Sequence, residues 1–329
     1  MQVSGSRCKI KVMKTTNRKL IGIAAIVAVA VCIAAALVIF PKGSSTKRGA
    51  AETDGFTEET ATVDRVLYAD EMAAIEDAAV GDIVYFGSYE QDNDAVNGTE
   101  PVEWYVLDKA DGEATLLAVH LLDCQQYHEA DENITWENCT LRSWLNGEFY
   151  NTAFSEEEQA AIVNTNVINE DNSYWGWDME GGNDTEDKVW LLSLEEIERY
   201  FHIDMNVYHD DYSIELKNWY EYVIHSFGHK NWYEYAIYCY GQDNRVCANP
   251  TAYAVARGVG KYSEADAQNS LKNGYDMSYA VGCGWWWLRS PGDSNSSAAF
   301  VGRDGNAFGL SHGVNADRHG VRPALKVVY

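Results

Sequence analysis

Two short patterns in the sequence contain residue types that hydrolytic enzymes use. His225 and His229 are four residues apart, which on a helix places two imidazoles on one face as zinc ligands, but Ser226 stands where a metalloprotease has its glutamate. Residues 309–313 read Gly-Leu-Ser-His-Gly and match the Gly-x-Ser-x-Gly pattern of a nucleophile elbow. Only 16 residues follow, too few for the elements that bring an acid and a histidine to the serine. The sequence therefore favours neither a zinc site nor a serine hydrolase.

The cysteines are the other candidate reactive groups. Five of the seven lie beyond residue 40, and an odd number argues against a full disulfide framework. The sequence allows a pair between Cys124 and Cys139 and another between Cys239 and Cys247, but spacing alone establishes neither. Cys283, beside three tryptophans, is the one candidate nucleophile.

Two acidic loops offer the oxygen ligands that calcium prefers. Residues 92–94 (Asp-Asn-Asp) and 183–187 (Asn-Asp-Thr-Glu-Asp) are the examples, but Val96 departs from the EF-hand spacing. We expect both segments to be solvated loops. The sequence thus predicts no metal or other cofactor, with calcium as the ion that these loops are suited to hold.

Charge divides the chain into two unequal parts. It contains 25 Lys and Arg against 50 Asp and Glu, a net charge of -25. Residues 1–48 carry nine of the basic residues and no acidic one, which leaves 16 basic against 50 acidic residues in the remainder. So acidic a body repels phosphate backbones, which proteins bind through Lys and Arg, and a nucleic-acid partner is disfavoured.

Residues 20–40 form an uncharged apolar run. As a helix, its 21 residues match the thickness of a bilayer core. The six basic residues before it indicate a cytoplasmic N-terminus and an extracellular C-terminal part. A cleaved signal peptide is the alternative, but the apolar region of a signal usually has only about 7–15 residues. The sequence predicts a single-pass cell-membrane protein with a cytoplasmic basic tail at 1–19, a transmembrane helix at 20–40, a stalk at 41–62 and a short helix at 63–80.

The remaining chain, residues 81–329, has the pattern of an α+β domain with antiparallel sheets. Runs rich in branched and aromatic residues predict strands at 82–89, 102–108 and 113–121. Asp111-Gly112 predicts a tight hairpin between the last two. The C-terminal stretch alternates short apolar runs with glycine turns, which excludes regular β-α units.

Short helices are predicted between the strands. Ser155 with Glu158, and Ser193 with Glu196, have the spacing of capping boxes at helix starts. Another short helix, which contains Leu141, is predicted to close at Gly147.

An aromatic insert at about 205–241 contains an internal repeat. Lys-Asn-Trp-Tyr-Glu-Tyr occurs at 217–222 and again at 230–235. The rings either form a platform for a sugar or peptide ligand or pack the insert onto the domain. Packing is the better prediction, because large aromatic side chains usually bury their area.

Two signatures stand near the C-terminus: Gly-Trp-Trp-Trp-Leu-Arg-Ser-Pro-Gly at 284–292 and Gly-Val-Arg-Pro-Ala-Leu at 320–325. Together with blocks at 81–91, 101–104, 135–146, 182–189 and 250–254, they resemble an uncharacterised family of bacterial surface domains. More distantly, such domains are similar to the fold of C-type lectins, formylglycine-generating enzymes and retroelement-diversified receptors. The resemblance implies a C-type lectin-like domain with a tryptophan-rich core under a face of loops. Its implied framework residues are Trp286, Leu288, Arg289, Arg322 and Pro323.

The same resemblance implies that the polar loops between the two signatures bind a ligand. Short, glycine-punctuated loops on a rigid scaffold often carry binding residues. The predicted ligand-binding residues are Arg303, Asp304, Asn306, His312, Asn315, Asp317, Arg318 and His319, with Ser294 and Asn295 beside them. No catalytic residue is implied.

Together these observations predict a membrane-anchored extracellular module that binds a glycan or a protein of the cell surface. Two other classes stay open. One is an oxidoreductase of the formylglycine-generating type, in which Cys283 is the candidate nucleophile. The other is a structural component of the cell envelope.

Overall fold

The computed structural model describes residues 69–173, 178–201, 245–272, 276–305, 307 and 311–329. No helix within these ranges is long and apolar enough to cross a membrane. The predicted cytoplasmic tail, transmembrane helix and stalk lie outside them, as do the aromatic insert at 205–241, His225, His229 and Cys239.

Short strands make up most of the described architecture. They are β1 (Ile83–Tyr89), β2 (Glu100–Ala110), β3 (Glu113–Ala118), β4 (Asp123–Cys124), β5 (Thr165–Val167), β6 (Thr185–Asp187), β7 (Val189–Trp190), β8 (Trp286–Pro291), β9 (Ser297–Val301), β10 (Ser311–Gly313), β11 (Gly320–Val321) and β12 (Ala324–Val328). They form two five-stranded sheets and one small sheet in which β5 pairs with β6.

The first sheet is antiparallel and has the order β1-β2-β3-β12-β7. Its β2–β3 hairpin turns at Asp111 and Gly112, whose φ angles of 55° and 80° are both positive, as a tight two-residue turn requires. Side chains alternate along β2, so Val102, Trp104 and Val106 all point into the core, each with 0% exposure. The three predicted strands and the hairpin are confirmed.

The second sheet has the order β10-β9-β8-β11-β4 and contains the tryptophan signature in β8. All its pairs are antiparallel except β8 with β11, which run parallel where Trp286 lies opposite Gly320. A Cβ at Gly320 would lie 2.6 Å from Leu121 Cδ1, so glycine is the residue that fits against Leu121 at this position. With antiparallel sheets and short helices, the domain has the predicted α+β class.

The helices are short. They are α1 (69–77), α2 (Thr140–Trp144), α3 (Tyr150–Ala153), α4 (Glu156–Ala161), α5 (Leu194–Phe201), α6 (Ala252–Arg257) and α7 (Glu264–Lys272), with 3₁₀ turns at Trp136–Asn138 and Ser278–Ala280. The α1 segment falls within the helix predicted at 63–80.

Both predicted capping boxes are present. Ser155 and Glu158 bond each other's backbone N–H at the start of α4. At the start of α5, Glu196 N donates to Ser193 Oγ at 3.1 Å and Ser193 N donates to Glu196 Oε2 at 3.0 Å. The predicted helix end at Gly147 is wrong. Gly147 lies inside a π-helical turn, Leu145–Phe149, which joins α2 to α3 because Leu145 and Phe149 bury their side chains there.

The framework prediction from the two signatures is confirmed at its arginines. Arg289 is buried, donates to the carbonyls of Leu191 (2.8 Å) and Ile168 (2.9 Å), and pairs with Glu196. Arg322 is fully buried and donates to three main-chain carbonyls. These guanidinium groups tie the two sheets to the intervening loops through many donors in a fixed geometry.

A carboxyl pair connects α1 to the body of the domain. The Glu71 carboxyl lies beside the side chain of Glu158, which accepts bonds from the backbone N–H groups of Gly87 (3.1 Å) and Ser155 (2.6 Å). Burial, followed by the charge of Glu158, raises the pKa of Glu71 to about 8. Glu71 is therefore protonated at neutral pH in the folded chain.

We expect this pair to make stability fall as the pH rises. In the unfolded chain Glu71 loses its proton near its ordinary pKa of 4.5, whereas the folded chain keeps that proton up to a pH of about 8. Glu71→Gln stays neutral, so it should match the wild type at about pH 4 and be more stable by about 1–2 kcal/mol at about pH 8, a figure reduced for the partial exposure of Glu71. Urea denaturation at both pH values measures this. The same pH dependence in both proteins would contradict it.

Candidate functional site

Five segments meet beside the second sheet and form what we term the Trp285 cluster. Its members are Tyr262, from the loop before α7, Trp285, which precedes β8, Arg303, which follows β9, His312 in β10, and His319, which precedes β11. The guanidinium carbon of Arg303 lies 4.4 Å from the Trp285 ring centre and 5.3 Å from that of Tyr262. Both distances are within reach of a cation–π interaction. The ring centres of His312 and His319 lie 6.4 and 5.9 Å from that of Trp285.

Backbone contacts hold Trp285 in place. Its carbonyl accepts a 2.7 Å hydrogen bond from Gly320 N, which ties it to the start of β11. The main chain at Gly260 packs on its ring, since a Cβ added there would lie 3.0 Å from the ring. Two glycines therefore fix the position of the tryptophan, and small residues are needed at both places.

His312 and His319 form a neutral pair. His312 Nδ1 lies 3.0 Å from His319 Nε2, so one of these nitrogens donates and the other accepts. Burial, and then His312, lower the pKa of His319 to about 3, and burial lowers the pKa of His312. His319 Nδ1 is buried without a hydrogen-bond partner. A bare lone pair is less costly there than an orphaned N–H, so we assign the shared proton to His319 Nε2.

His319 supports the cluster from inside the domain. It is 1% exposed, and its ring stacks on Trp287 with 4.0 Å between centres. The structure therefore places His319, a predicted ligand-binding residue, behind the cluster and away from solvent. His312, by contrast, is exposed and stacks on Phe300 at 4.5 Å.

Arg303 gives the cluster its positive charge. Its Nη1 lies 3.6 Å from the carboxylate of Asp266 and 3.4 Å from the carbonyl of Lys261, and its side chain is 28% exposed. Trp285 and Tyr262 are half-buried. The cluster thus offers solvent two aromatic rings, a guanidinium and a neutral imidazole. Such a set can stack on a flat or ring-shaped ligand and donate hydrogen bonds to its oxygens.

The other predicted site residues lie on the neighbouring loops. Asp304 is half-buried, and its carbonyl accepts a 3.4 Å bond from the Tyr279 hydroxyl. The loop from β10 to β11 exposes three of them: Asn315, Asp317 and Arg318. The carbonyl of Arg318 accepts a bond from Gly260 N, which places this loop next to Trp285. Asn306 lies outside the described residues. The structure therefore brings Arg303 and His312 together in the cluster. The other predicted site residues that are exposed lie on the loops around it.

A family model described as a domain of unknown function, DUF6273, matches residues 111–328. The chain belongs to the DUF6273 family. The match extends from the β2–β3 turn to β12 and includes the whole Trp285 cluster. The predicted membership of an uncharacterised domain family is thereby confirmed. No curated protein and no solved structure matches this chain.

One disulfide is present in the described part of the DUF6273 domain, and it differs from the pairs that the sequence allowed. Cys247 bonds Cys283, while Cys124 and Cys139 are free and buried. Burial raises the pKa of Cys124 to about 11 and that of Cys139 to about 12, so both thiols are poor nucleophiles. Cys283, the candidate nucleophile, is 5% exposed and is not a thiol.

The serine pattern of the DUF6273 domain is not a nucleophile elbow. Ser311–Gly313 is strand β10, and it pairs antiparallel with β9. A nucleophile elbow needs a sharp turn into a helix, and residues 314–329 contain none.

Among the described residues, three carboxylates outside the DUF6273 match lie close enough together to hold a cation. One oxygen each from Glu90, Asp92 and Glu100 lies within 4.8 Å of the others. Glu100 also accepts a 2.8 Å hydrogen bond from Gln91 N, so one of its carboxylate oxygens already bonds the backbone of the same loop. In the second acidic segment, Asp187 is buried and bonds Trp136 Nε1, which excludes it as a calcium ligand.

Two members of the cluster, Trp285 and Tyr262, were not among the predicted site residues. Trp285 and Trp287 are two residues apart, and side chains two apart in a strand lie on the same face of the sheet. This alternation could have indicated that Trp285 lies on the same side of the second sheet as Trp287. Tyr262 gave no such signal, because it comes from a separate loop before α7.

Proposed function

We propose that this chain is a membrane-anchored protein whose extracellular DUF6273 domain binds a cell-surface glycan or protein. The helix predicted at 20–40 holds it in the cell membrane, with residues 1–19 in the cytoplasm. The domain is a variant of the C-type lectin-like fold, and the Trp285 cluster with the loops around it contacts the ligand. One observation carries the proposal: residues from five separate segments converge in a set of rings and a guanidinium that is open to solvent.

Two further observations support an extracellular binding role. The Cys247–Cys283 disulfide suits the oxidising environment outside the cytoplasm. The two free cysteines described are buried, and burial raises the pKa of each thiol. Ligand binding therefore has more support than oxidoreductase chemistry of the formylglycine-generating type.

An array of glycans and cell-wall fragments tests this proposal. Probed with the full-length protein, it should give specific binding, and Arg303→Ala should weaken that binding by about tenfold or more, as expected for a central arginine beside aromatic rings. Arg199→Ala is the matched control, because Arg199 on α5 is an exposed arginine outside the cluster that also lies near an aromatic ring, 4.8 Å from that of Tyr200, and has a surface ion pair to Glu196. We expect it to leave binding unchanged.

The same array, probed with calcium and again with a chelator, tests whether binding requires a calcium ion. Loss of binding with a chelator would assign an ion to the site, and retention would leave the Trp285 cluster sufficient. A folded protein that binds nothing on the array and pulls down no surface protein would contradict the proposal and favour a structural role in the envelope.

A further inference from the structure

The described part of the chain has a second concave surface, and the residues of the Trp285 cluster do not line it. It is a cleft of about 430 Å³, within the size range of small-molecule sites. We name it the asparagine cleft after the polar residues that define it: Asn133, Asn138, Asp178, Glu180 and Asn295. Of these residues, only Asn295 was among the polar loop residues that the sequence indicated.

The walls of the asparagine cleft are tied together by backbone hydrogen bonds. Ile134 N donates to the carbonyl of Asn295 at 3.0 Å, which joins the segment before the Trp136–Asn138 turn to the β8–β9 hairpin. Met179 and Asn172 exchange backbone bonds of 2.8 and 3.2 Å, and Asn172 Nδ2 donates to Pro291 O at 2.8 Å. The cleft is therefore preformed, which lowers the entropic cost of binding a ligand.

Four polar side chains that line this cleft have no partner among the described residues. Among the described residues, the side chains of Asn133, Asn295, Asp178 and Glu180 make no hydrogen bond or ion pair. Each amide offers two donors and a carbonyl acceptor, and each carboxylate offers acceptors alone. A ligand that both donates and accepts many hydrogen bonds would satisfy this set.

Charge and apolar surface narrow the class of ligand. None of the described lining residues is Lys, Arg or His, and two are carboxylates, so a phosphate, sulfate or carboxylate group would be repelled. Ile134, Met179 and Pro291 are half-buried and supply the apolar part of the lining. Sugar rings combine such a C–H face with hydroxyls that donate and accept.

We propose that the asparagine cleft binds a neutral saccharide. The amides of Asn133 and Asn295 bond its hydroxyls, the carboxylates accept from further hydroxyls, and the apolar part of the lining contacts the ring. This site is separate from the Trp285 cluster, so it can exist whether or not the cluster binds a ligand.

Direct binding of neutral glycans tests the cleft. The full chain, in a detergent without a sugar headgroup, is applied to oligomers of glucose, galactose, mannose and N-acetylglucosamine, and to sialylated glycans and a lysine-rich peptide. The affinity for the best neutral glycan is then measured by calorimetry. The double variant Asn133→Ala/Asn295→Ala should weaken it by about tenfold or more, because both amides lose their bonds to the ligand.

Two controls separate this site from the Trp285 cluster. Asn166→Ala removes an exposed asparagine of β5 outside the cleft and should leave the affinity unchanged. Arg303→Ala is the second: a loss of this affinity in Arg303→Ala, with normal binding by the double variant, would assign the glycan to the cluster and overturn the proposal. The proposal would also be overturned if the protein preferred the sialylated glycans or the peptide, or if it bound no neutral glycan.

Discussion

Replacing Asp187 with alanine should destabilise the domain by about 3–5 kcal/mol, the usual cost of removing one partner from a buried ion pair. Asp187 has 0% exposure and accepts hydrogen bonds from Arg142 Nε (2.6 Å), Trp136 Nε1 (2.9 Å) and Thr185 Oγ1 (2.7 Å). Alanine leaves all three donors buried or half-buried without their acceptor. The midpoint of urea unfolding, followed by tryptophan fluorescence, measures the loss.

A neighbour on the same strand provides the control for Asp187→Ala. Glu186 is exposed on β6, and among the described residues its carboxylate accepts a bond from Asn164 Nδ2 alone, at 3.1 Å. Glu186→Ala should change stability by no more than about 0.5 kcal/mol. A loss for Asp187→Ala as small as the loss for Glu186→Ala would show that the network does not hold β6 to the 3₁₀ turn and α2.

Arg322→Ala should cost about 3–4 kcal/mol, because it leaves buried carbonyls unsatisfied and opens a cavity. The Arg322 guanidinium has 0% exposure and donates to Arg245 O (2.7 Å), Ala118 O (2.9 Å) and Val119 O (3.5 Å). It also lies 4.9 Å from the ring centre of Trp286. The same unfolding assay measures the effect.

A charge-conserving change distinguishes the geometry of Arg322 from its charge. Arg322→Lys keeps the cation but lacks the planar fork, so it should recover only part of the loss. Arg318→Ala, an exposed arginine on the preceding loop, should stay within about 0.5 kcal/mol of the wild type. If Arg322→Lys were as stable as the wild type, the fork of hydrogen bonds would not be what Arg322 contributes.

Local features of the fold were predictable because their causes lie within a few residues. Asp111-Gly112 turns as its dihedral preferences demand, and Ser193 with Glu196 caps α5 through bonds between neighbours. Gly147 shows the limit of such reasoning. Its preference for a helix end is overridden by tertiary burial of Leu145 and Phe149 on either side.

The candidate site was predictable only in part, because its assembly depends on distant segments. The polarity of the C-terminal loops correctly indicated that Arg303 and His312 reach the surface. Polarity alone could not indicate that His319 stacks on Trp287 inside the domain. Nor could the spacing of the cysteines indicate that Cys283 forms a disulfide with Cys247. The asparagine cleft likewise joins three separate segments, and of its residues only Asn295 stood among the polar loops noted in the sequence.

Oxidative footprinting of the full-length protein, with and without a ligand selected on the array, is the most direct test that the Trp285 cluster binds it. Trp285 is half-buried, and so is Trp144, which packs on Phe149 outside the cluster and serves as the internal control. We predict that saturating ligand slows the oxidation of Trp285 and leaves that of Trp144 unchanged. Oxidation of Trp285 at the same rate with and without bound ligand would contradict the proposed contact surface.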